Sequence, residues 1–502
     1  MGFSLKCGLF VCHVHGFLSA GIYHFNKRNT HTAYMKEHLL LQNKFLKNTL
    51  TLISGTTAGQ ALLLLLSPVL TRLYSAEDFG AFGVFVSAAS ILLVIASLKY
   101  EMALPMVKRR FTASLLIRLC MILIVSFSVL SLTLIMTFES QLAALLNVPN
   151  HSEVLFLLPL SLLFCGGYQL ATFYSVRESL FKRLSVSKVT QAMAIGIGQV
   201  SLSFVTSIGL IYGYVIGFFM SLCCFISVKH SPIRSKKVTR LKLLAVARRY
   251  AKFPKYTMWA SLTNTSGTVL PVIMFSSLYS SAQAGLYVLA HRVLIAPVNI
   301  IGSAISNVFM SNARQYRIDG ELANKTLEIH RQLIALSMPL MALFIFYLTD
   351  LFALIFGANW SDAGQLSTYL AIWIYCVFTA SPISTVLIVL EKQKLSAYFD
   401  AAAFVIRISA VYMLSLLPFV EAILIFSLLN AVIVFVFIGM TFRQLNVAVW
   451  QVLKIHMSYA MAFLLPSFGL FSVFGGYSKV LSFMLTLLWV VAAVIFIKRK
   501  KA

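Results

Sequence analysis

Long apolar runs follow one another along almost the whole chain, and only short polar segments separate them. A run of about 20 apolar residues crosses the hydrocarbon core of a bilayer as an α-helix. No connection exceeds about 30 residues, which leaves no room for a catalytic domain between helices. The pattern predicts an all-α polytopic membrane protein with about fourteen spans, near residues 48–72, 79–98, 115–137, 154–175, 189–208, 210–228, 257–277, 283–310, 332–356, 364–390, 396–417, 420–441, 447–471 and 478–497.

Two loops of the chain carry the same short sequence. Leu73–Ser75 leads to Gly80, and Leu278–Ser280 leads to Gly285, each 205 positions after its counterpart. Because six spans separate the two copies, both halves begin on the same side of the membrane, which is typical of transporters with parallel repeats around a central cavity. The predicted domains are an N-terminal extension without function (1–44), a first six-helix lobe (45–229), a basic cytoplasmic linker (230–256), a second six-helix lobe (257–442), and helices 13 and 14 with a basic tail (443–502).

Composition and charge support this topology. Of 502 residues, 59% are hydrophobic and 11% are charged, whereas a soluble protein has about 25% charged residues. The net charge of +26 would by itself suggest nucleic acid as a partner. However, almost all Lys and Arg fall in alternate connections, the pattern of cytoplasmic loops. We therefore predict cytoplasmic termini and no nucleic-acid partner. The most basic stretch, 229–255, is either a topology-setting linker or a docking surface for a phosphorylated lipid.

Signals for an enzyme or a metal site are weak. The seven cysteines are scattered without metal-ligand spacing, the five aspartates are isolated, and no nucleotide-binding GxxxxGK(S/T) motif occurs. Residues 1–34 hold four histidines, and their irregular spacing leaves metal binding as the minor alternative to an extension that precedes a natural start at Met35. The sequence predicts neither an enzyme nor a metal site.

Two segments near the start of the chain resemble a known family. Ser67–Gly80 (SPVLTRLYSAEDFG) and Lys99–Pro105 (KYEMALP) are similar to the first two helices of Wzx-type polysaccharide flippases, in the multidrug/oligosaccharidyl-lipid/polysaccharide exporter superfamily. The likeness covers about residues 45–442, and the N-terminal arm departs from it. Three segments of the second half are also similar: Phe253–Tyr256, Gly285–Tyr287 and Arg292–Leu294.

The resemblance implies a V-shaped, two-lobed helical bundle with a central cavity. It implies flipping of undecaprenyl-diphosphate-linked oligosaccharide from the cytoplasmic to the periplasmic leaflet of the bacterial inner membrane, for O-antigen (lipopolysaccharide), capsule or exopolysaccharide assembly. The implied partners are this lipid-linked glycan, the bilayer, a polysaccharide polymerase and a chain-length regulator. It implies no cofactor, with a proton or sodium gradient as the driving force.

Polar residues within predicted spans are the candidates for binding such a cargo. Arg292, Asn299 and Ser303 share one face of the eighth span, and a guanidinium can hold a diphosphate through two oxygens. A structural anchor between helices is the alternative role for Arg292. Asn264 in the seventh span is a candidate for the sugar path, as are Gln60, Gln191 and Gln199 in the first half, although hydrogen bonds between helices would also explain them.

The remaining candidates concern ion coupling and gating. Asp400 and Arg407 lie on one face of the eleventh span, either as a coupling carboxylate beside a phosphate-binding Arg or as a buried structural pair. Lys99 and Glu101 match the family segment and are expected at the inner gate, although residues two apart do not face each other in an α-helix. Arg72 is expected at the outer gate or in a salt bridge that fixes its loop.

The sequence favours a flippase that works by alternating access between the two lobes. A drug or small-cation antiporter of the same superfamily is the alternative, and it would have acidic groups in its cavity. With one intramembrane Asp against two Arg, the balance favours an anionic cargo. A membrane polymerase or glycosyltransferase would require an acidic metal site or a large outer loop, and the sequence has neither.

Overall fold

The computed structural model describes residues 51–147, 153–225, 239–475 and 478–499. The predicted N-terminal extension, residues 1–44, lies outside this part of the chain, and so do residues 230–238 of the predicted linker. The account that follows concerns the described residues.

Every regular element in this part of the chain is helical, which confirms the all-α fold class. Ten of the described helices are long and apolar enough to cross a membrane, as expected of a multi-pass membrane protein. The total of fourteen spans and the limits of the lobes stay predictions. The helices are α1 Thr51–Leu73, α2 Ala76–Ala96, α3 Arg110–Leu145, α4 Glu153–Arg177, α5 Phe181–Leu202, α6 Gly209–Cys223, α7 Arg240–Arg249, α8 Met258–Leu278, α9 Ser281–Ile318, α10 Leu322–Phe356, α11 Ser361–Ala380, α12 Val386–Val389, α13 Gln393–Leu414, α14 Phe419–Gln444, α15 Val449–Phe474 and α16 Lys479–Arg499.

The tenth predicted span, 364–390, is interrupted. After α11 a 3₁₀ turn, Ile383–Thr385, leads into the short helix α12. Pro382 lies at the break, where it has no N–H to donate and its ring crowds the preceding turn. The prediction of one continuous span was therefore wrong here, and the break lies beside the cavity described below.

Part of the basic linker forms a helix that the sequence pattern did not predict. In α7, Val246 is buried against a cluster that contains Tyr100 and Leu116. The Tyr100 hydroxyl also donates to the carbonyl of Ala247 at 3.2 Å. The end of the linker is thus attached to the first half of the chain.

The repeated loop sequence ends one helix and starts the next in the same way in both halves. Ser75 caps α2 by accepting a hydrogen bond from the N–H of Asp78 at 3.2 Å. Ser280 caps α9 by accepting one from the N–H of Gln283 at 3.1 Å. Serine is favoured at this position because its hydroxyl satisfies an N–H that has no partner within the helix. The sequence repeat is therefore also a structural repeat.

The tyrosines of the repeat have equivalent partners. The Tyr74 hydroxyl donates to the carbonyl of Gln199 near the end of α5, at 2.6 Å. The Tyr279 hydroxyl donates to the carbonyl of Leu414 at the end of α13, also at 2.6 Å. Each tyrosine thus connects the start of its half to the end of the fifth predicted span of that half.

Two glycines bring the backbones of α2 and α9 into direct contact. A β-carbon at Gly80 would lie 1.9 Å from the carbonyl oxygen of Ser281, and one at Gly285 would lie 1.8 Å from that of Ala76. Both glycines and both of their neighbours are related by the offset of 205 residues. The two contacts are therefore symmetric, and only glycine fits at either position.

We predict that Gly80→Val destabilises the protein, because the added side chain meets the backbone of α9 rather than a side chain that can move. Forced overpacking of this kind costs about 1–3 kcal/mol. The midpoint of thermal unfolding in detergent should fall by several degrees.

Gly469→Val is the matched control, since nothing lies within 4 Å of a β-carbon at that position of α15. Equal unfolding midpoints for the two variants would show that α2 and α9 do not approach each other in this way.

Candidate functional site

A cavity of about 670 Å³ lies among helices of the second half. Four of the predicted site residues line it: Asn264 on α8, Asn299 on α9, and Asp400 and Arg407 on α13. The structure thus brings together a cation, a carboxylate and two amides whose positions in the sequence span more than 140 residues.

Arg407 is held in the cavity wall by a neutral partner. Its Nε donates to Oδ1 of Asn430 on α14 at 2.7 Å, and Nδ2 of Asn430 donates to the carbonyl of Phe426 at 2.8 Å. The second bond fixes the orientation of the amide. Because Asn430 occupies only Nε, the two terminal nitrogens of the guanidinium are available to a ligand in the cavity.

Asp400 and Arg407 form no direct ion pair. No salt bridge joins them among the described residues, although the two side chains lie near enough to interact electrostatically. The sequence left two explanations open, a buried structural pair and a coupling carboxylate beside a phosphate-binding Arg, and both stay open. Both side chains line the cavity.

The two amides complete the polar lining. The side chains of Asn264 and Asn299 are exposed towards the cavity from neighbouring helices. An amide offers both a donor and an acceptor, so the pair suits the hydroxyl groups of a sugar. Apolar side chains from α14, including Ile433 and Val434, line the remaining wall.

Arg292 does not line this cavity, although it was predicted to share it with Asn299. Its Nη2 approaches the carbonyl of Leu63 on α1 at 3.5 Å. The two residues lie on the same face of α9 but two turns apart, about 10 Å along the axis. This face of α9 contacts α1 at the height of Arg292 and borders the cavity at the height of Asn299. The side chain of Ser303 lies outside the described residues.

A smaller cavity of about 150 Å³ lies in the first half, and Leu63 lines it too. Gln60 and Gln191 contribute to its wall, as expected for a polar path, and so does Lys188 of α5. Gln199 is elsewhere, fully buried, and its Nε2 donates to the carbonyl of Leu210 at 3.0 Å. Among the hydrogen bonds of the described residues, only Gln199 of the three glutamines thus joins two helices.

Lys99 and Glu101 contact each other, contrary to the helical expectation. Lys99 has φ +59°, so the chain leaves the α-helix there, and Lys99 Nζ lies 3.9 Å from Glu101 Oε1. The same oxygen accepts a hydrogen bond from Nε2 of Gln169 on α4 at 2.9 Å. Glu101 is 1% exposed, and its contacts lie within the first half, away from both cavities.

Arg72 is exposed and forms no salt bridge among the described residues. Its loop is fixed by the preceding residue instead. Nε1 of Trp360 donates to the carbonyl of Thr71 at 2.9 Å, and the Thr71 hydroxyl donates to the carbonyl of Phe356 at 3.1 Å. Asp78, one of the two acids that follow in the loop, belongs to the cap of α2. A salt bridge of Arg72 is thus not seen among the described residues, and its place at the outer gate stays a prediction.

A family profile described as "polysaccharide biosynthesis protein" matches residues 69–365, more than half of the chain. The chain belongs to this family. The match includes α2, which forms the glycine contact, and ends within α11. No curated protein sequence matches the chain.

Two solved structures share the fold of this family member. The lipid II flippase MurJ in an inward closed conformation matches with a TM-score of 0.66 and 13% identity, covering 90% of this chain and 97% of that one. An inward-facing multidrug resistance MATE family transporter of the MOP superfamily matches with a TM-score of 0.60 and 13% identity, covering 78% of this chain and 95% of that one. The chain therefore has the fold that these two transporters share.

Sequence reasoning about this family member missed two residues that matter at the cavities. Asn430 is a polar residue in an apolar span, the same signal that identified Asn264, and it could have been found in that way. Lys188 lies one residue before the predicted fifth span, 189–208, and was not considered for a cavity. The structure places it within α5, which begins at Phe181.

We predict that Glu101→Gln stabilises the protein at neutral pH. Burial raises the pKa of Glu101 above its ordinary value of 4.5, and Oε2 has no hydrogen-bond partner among the described residues. A raised pKa means that the folded state binds the proton more tightly, so stability is greatest at low pH and is lost as pH rises through the raised pKa. Glutamine avoids that loss because it is neutral over the whole pH range.

The measurement is the midpoint of thermal unfolding between pH 4 and pH 8. The difference between wild type and Glu101→Gln should grow with pH, whereas Glu139→Gln, which changes a partly exposed residue of α3, should follow wild type. A difference that shrinks as pH rises would contradict the assignment.

Proposed function

We propose that this protein moves a polyprenyl-diphosphate-linked oligosaccharide from the cytoplasmic to the periplasmic leaflet of a bacterial inner membrane during surface polysaccharide synthesis. The observation that carries the proposal is the Arg407 guanidinium, held by a neutral amide in a cavity that also offers two asparagine side chains. Membership of the polysaccharide biosynthesis protein family supports the glycan part of the proposal.

The chemistry of the cavity suits the head of such a lipid. A volume of about 670 Å³ is within the range of sites that enclose small ligands, so it can admit a diphosphate and the first sugar. The free nitrogens of Arg407 suit the diphosphate, because a guanidinium binds two oxygens at once. Asn264 and Asn299 then lie beside the sugar hydroxyls.

The isoprenoid tail requires a route to the bilayer. Ile388 of α12 lines the cavity and is 51% exposed. The break at Pro382, between α11 and α12, interrupts the wall on this side. We propose that the tail passes here, so that it stays in lipid while the head occupies the cavity.

In alternating access, the contact between α2 and α9 would close the protein on one side of the membrane. Asn299 lies 14 residues beyond Gly285 along α9, about 21 Å at 1.5 Å per residue. The cavity is therefore well separated from this closed end. With cytoplasmic termini, the closed end faces the periplasm, and the head would load from the cytoplasm. A polymerase and a chain-length regulator would take the product.

A small-cation antiporter is the second candidate, because Asp400 lies in the same cavity. A carboxylate there suits a cationic cargo or a coupling ion, either proton or sodium. Under the first proposal, Asp400 serves the coupling ion and Arg407 the cargo. Under the second, Asp400 binds the cargo and Arg407 has no ligand.

We predict that Arg407→Gln slows transport about 10-fold to 100-fold, since a hydrogen bond to a charged group contributes about 1.5–3 kcal/mol. The assay uses proteoliposomes that contain a fluorescent polyprenyl-diphosphate N-acetylglucosamine, and a membrane-impermeant quencher reports which leaflet holds the probe. Arg443→Gln is the matched control, because Arg443 is exposed at the end of α14 and lies outside the cavity.

Equal rates for the two arginine variants would remove Arg407 from the site. If wild type moves an organic cation such as ethidium and leaves the lipid probe in place, the antiporter proposal replaces the flippase proposal. In that case Asp400→Asn should abolish cation transport.

A further inference from the structure

Two buried histidines face each other in the second half, outside the substrate cavity. Nε2 of His330 on α10 lies 3.0 Å from Nε2 of His456 on α15. The two residues are 0% and 6% exposed. Neither lines the cavity that contains Arg407. Ionisable residues within membrane-spanning helices are costly and usually have a function, and nothing in the proposed transport cycle uses this pair.

The outer nitrogen of each imidazole also has a partner on α11. His330 Nδ1 lies 3.1 Å from the carbonyl oxygen of Thr379, and His456 Nδ1 lies 2.7 Å from the hydroxyl of Tyr375. Thr379 and Tyr375 are four residues apart, so they lie on one face of α11. The result is one chain of three hydrogen bonds that joins α10, α11 and α15.

The carbonyl at one end of the chain sets its direction. Because the oxygen of Thr379 can only accept, His330 Nδ1 carries a hydrogen. In a neutral imidazole the other nitrogen is then an acceptor, so His456 donates from Nε2 to His330 Nε2. His456 Nδ1 is therefore an acceptor too, and Tyr375 donates to it. In the neutral state all three bonds are satisfied in this one arrangement.

One atom of the chain is able to take an additional proton without losing its partner. His330 Nδ1 already carries hydrogen, and the two Nε2 atoms share one between them. At His456 Nδ1, the Tyr375 hydroxyl can turn from donor to acceptor, because a phenol does both. Uptake of one proton there changes the charge of the pair from 0 to +1, and it breaks no covalent bond. Tyr375 lines a small cavity of about 60 Å³, into which its O–H can turn.

Burial opposes a positive charge on the pair, and two features of its surroundings offset part of that cost. The Phe435 ring lies 5.0 Å from His456, and the Phe442 ring lies 5.2 Å from His330, between ring centroids. Aromatic rings attract cations. Thr379 lies in the last turn of α11, where the carbonyls have no partners within the helix and the dipole favours positive charge.

The other ionisable groups on the helices around the pair are few. On α11 the neighbour of Tyr375 is the Cys376 thiol, and α14 contributes the two phenyl rings and no ionisable group to the contact. The ionisable residues nearest in sequence on α10 and α15 are Glu328, Arg331, Lys454 and Tyr459. The first three line a crevice of about 740 Å³ between these helices, and they are exposed there. No carboxylate therefore forms a hydrogen bond or an ion pair with either imidazole among the described residues.

We propose that the His330–His456 pair is a proton-binding site, that the proton enters at His456 Nδ1, and that its uptake reverses the hydrogen bond between α15 and α11. Only the role of this site in transport rests on the proposed function. In that role the histidine pair would bind the coupling proton at a place other than Asp400. Proton binding itself requires no substrate, so it can be tested separately.

The test is nitrogen-15 NMR of the full chain in lipid nanodiscs, labelled at all ten histidines and titrated from pH 8 to pH 4.5. At pH 8, His330 should give the Nδ1–H tautomer and His456 the Nε2–H tautomer. On acidification one imidazole of the pair should become doubly protonated. His330→Gln and His456→Gln assign the signals. If these variants fail to fold, the wild-type spectra still identify the pair. Its two imidazoles carry their hydrogens on opposite nitrogens, and no other histidine should share their titration midpoint.

Tyr375→Phe separates proton binding from a purely structural role. The charged N–H loses its acceptor, and hydrogen bonds to charged groups are about twice as strong as neutral ones, so proton affinity should fall about fivefold to tenfold. Tyr459→Phe is the matched control: it removes a buried phenol hydroxyl one turn along α15 that has no hydrogen-bond partner among the described residues. Its titration should match wild type.

Two results would overturn the proposal. The first is a pair that keeps its neutral tautomers down to pH 4.5. The second is a titration midpoint that stays at its wild-type value in both Tyr375→Phe and Tyr459→Phe. Because no substrate is present, neither result bears on the flippase proposal, and an inactive protein in the lipid-probe assay would leave the titration valid.

Discussion

The arrangement of the molecule depends on the backbone contact between α2 and α9. Gly80 and Gly285 allow each helix to touch the first turn of the other, and a side chain at either position would push them apart. The serine caps and the tyrosine hydrogen bonds of the repeat are equivalent between the two halves, as the two glycine contacts are. Close-packed helices cannot deform gradually, so a contact of this kind is either made or broken. This is the property that a closure between two halves requires.

Charge in the cavity is arranged so that it stays available. A buried cation next to a carboxylate would lose most of its attraction for a ligand, since the pair would satisfy itself. Arg407 instead has Asn430 as its hydrogen-bond partner, and no salt bridge joins it to Asp400 among the described residues. The neutral partner fixes the position of the guanidinium without removing its charge. A diphosphate would therefore complete the hydrogen bonds of the cavity rather than compete with an existing ion pair.

Much of the fold could be predicted, but less of the site. Apolar run length predicted the positions of the helices, and the repeat predicted two related halves, because both features depend on local sequence. Asn264 and Arg407 could be placed in one cavity because a polar residue in an apolar span must face protein or water. Arg292 could not be excluded from the cavity, because helical periodicity predicts which face of the helix a residue occupies. It does not predict which neighbour contacts that face at a given height along the axis. The bond between His330 and His456 joins residues 126 positions apart, so no local pattern could have predicted it.

α11 connects the two ionisable sites of the second half. Tyr375 and Thr379 on one of its faces bond to the histidine pair, whereas Val377, about 200° around the helix from Tyr375, lines the cavity. A proton on the pair lies too far from the cargo to act on it directly through a hydrogen bond. Its effect must therefore pass through the position of α11, whose end at Ala380 also lines the cavity. A coupling proton and an anionic cargo could then occupy the protein together without sharing a ligand, and this distinguishes it from a carrier in which the two compete for one carboxylate.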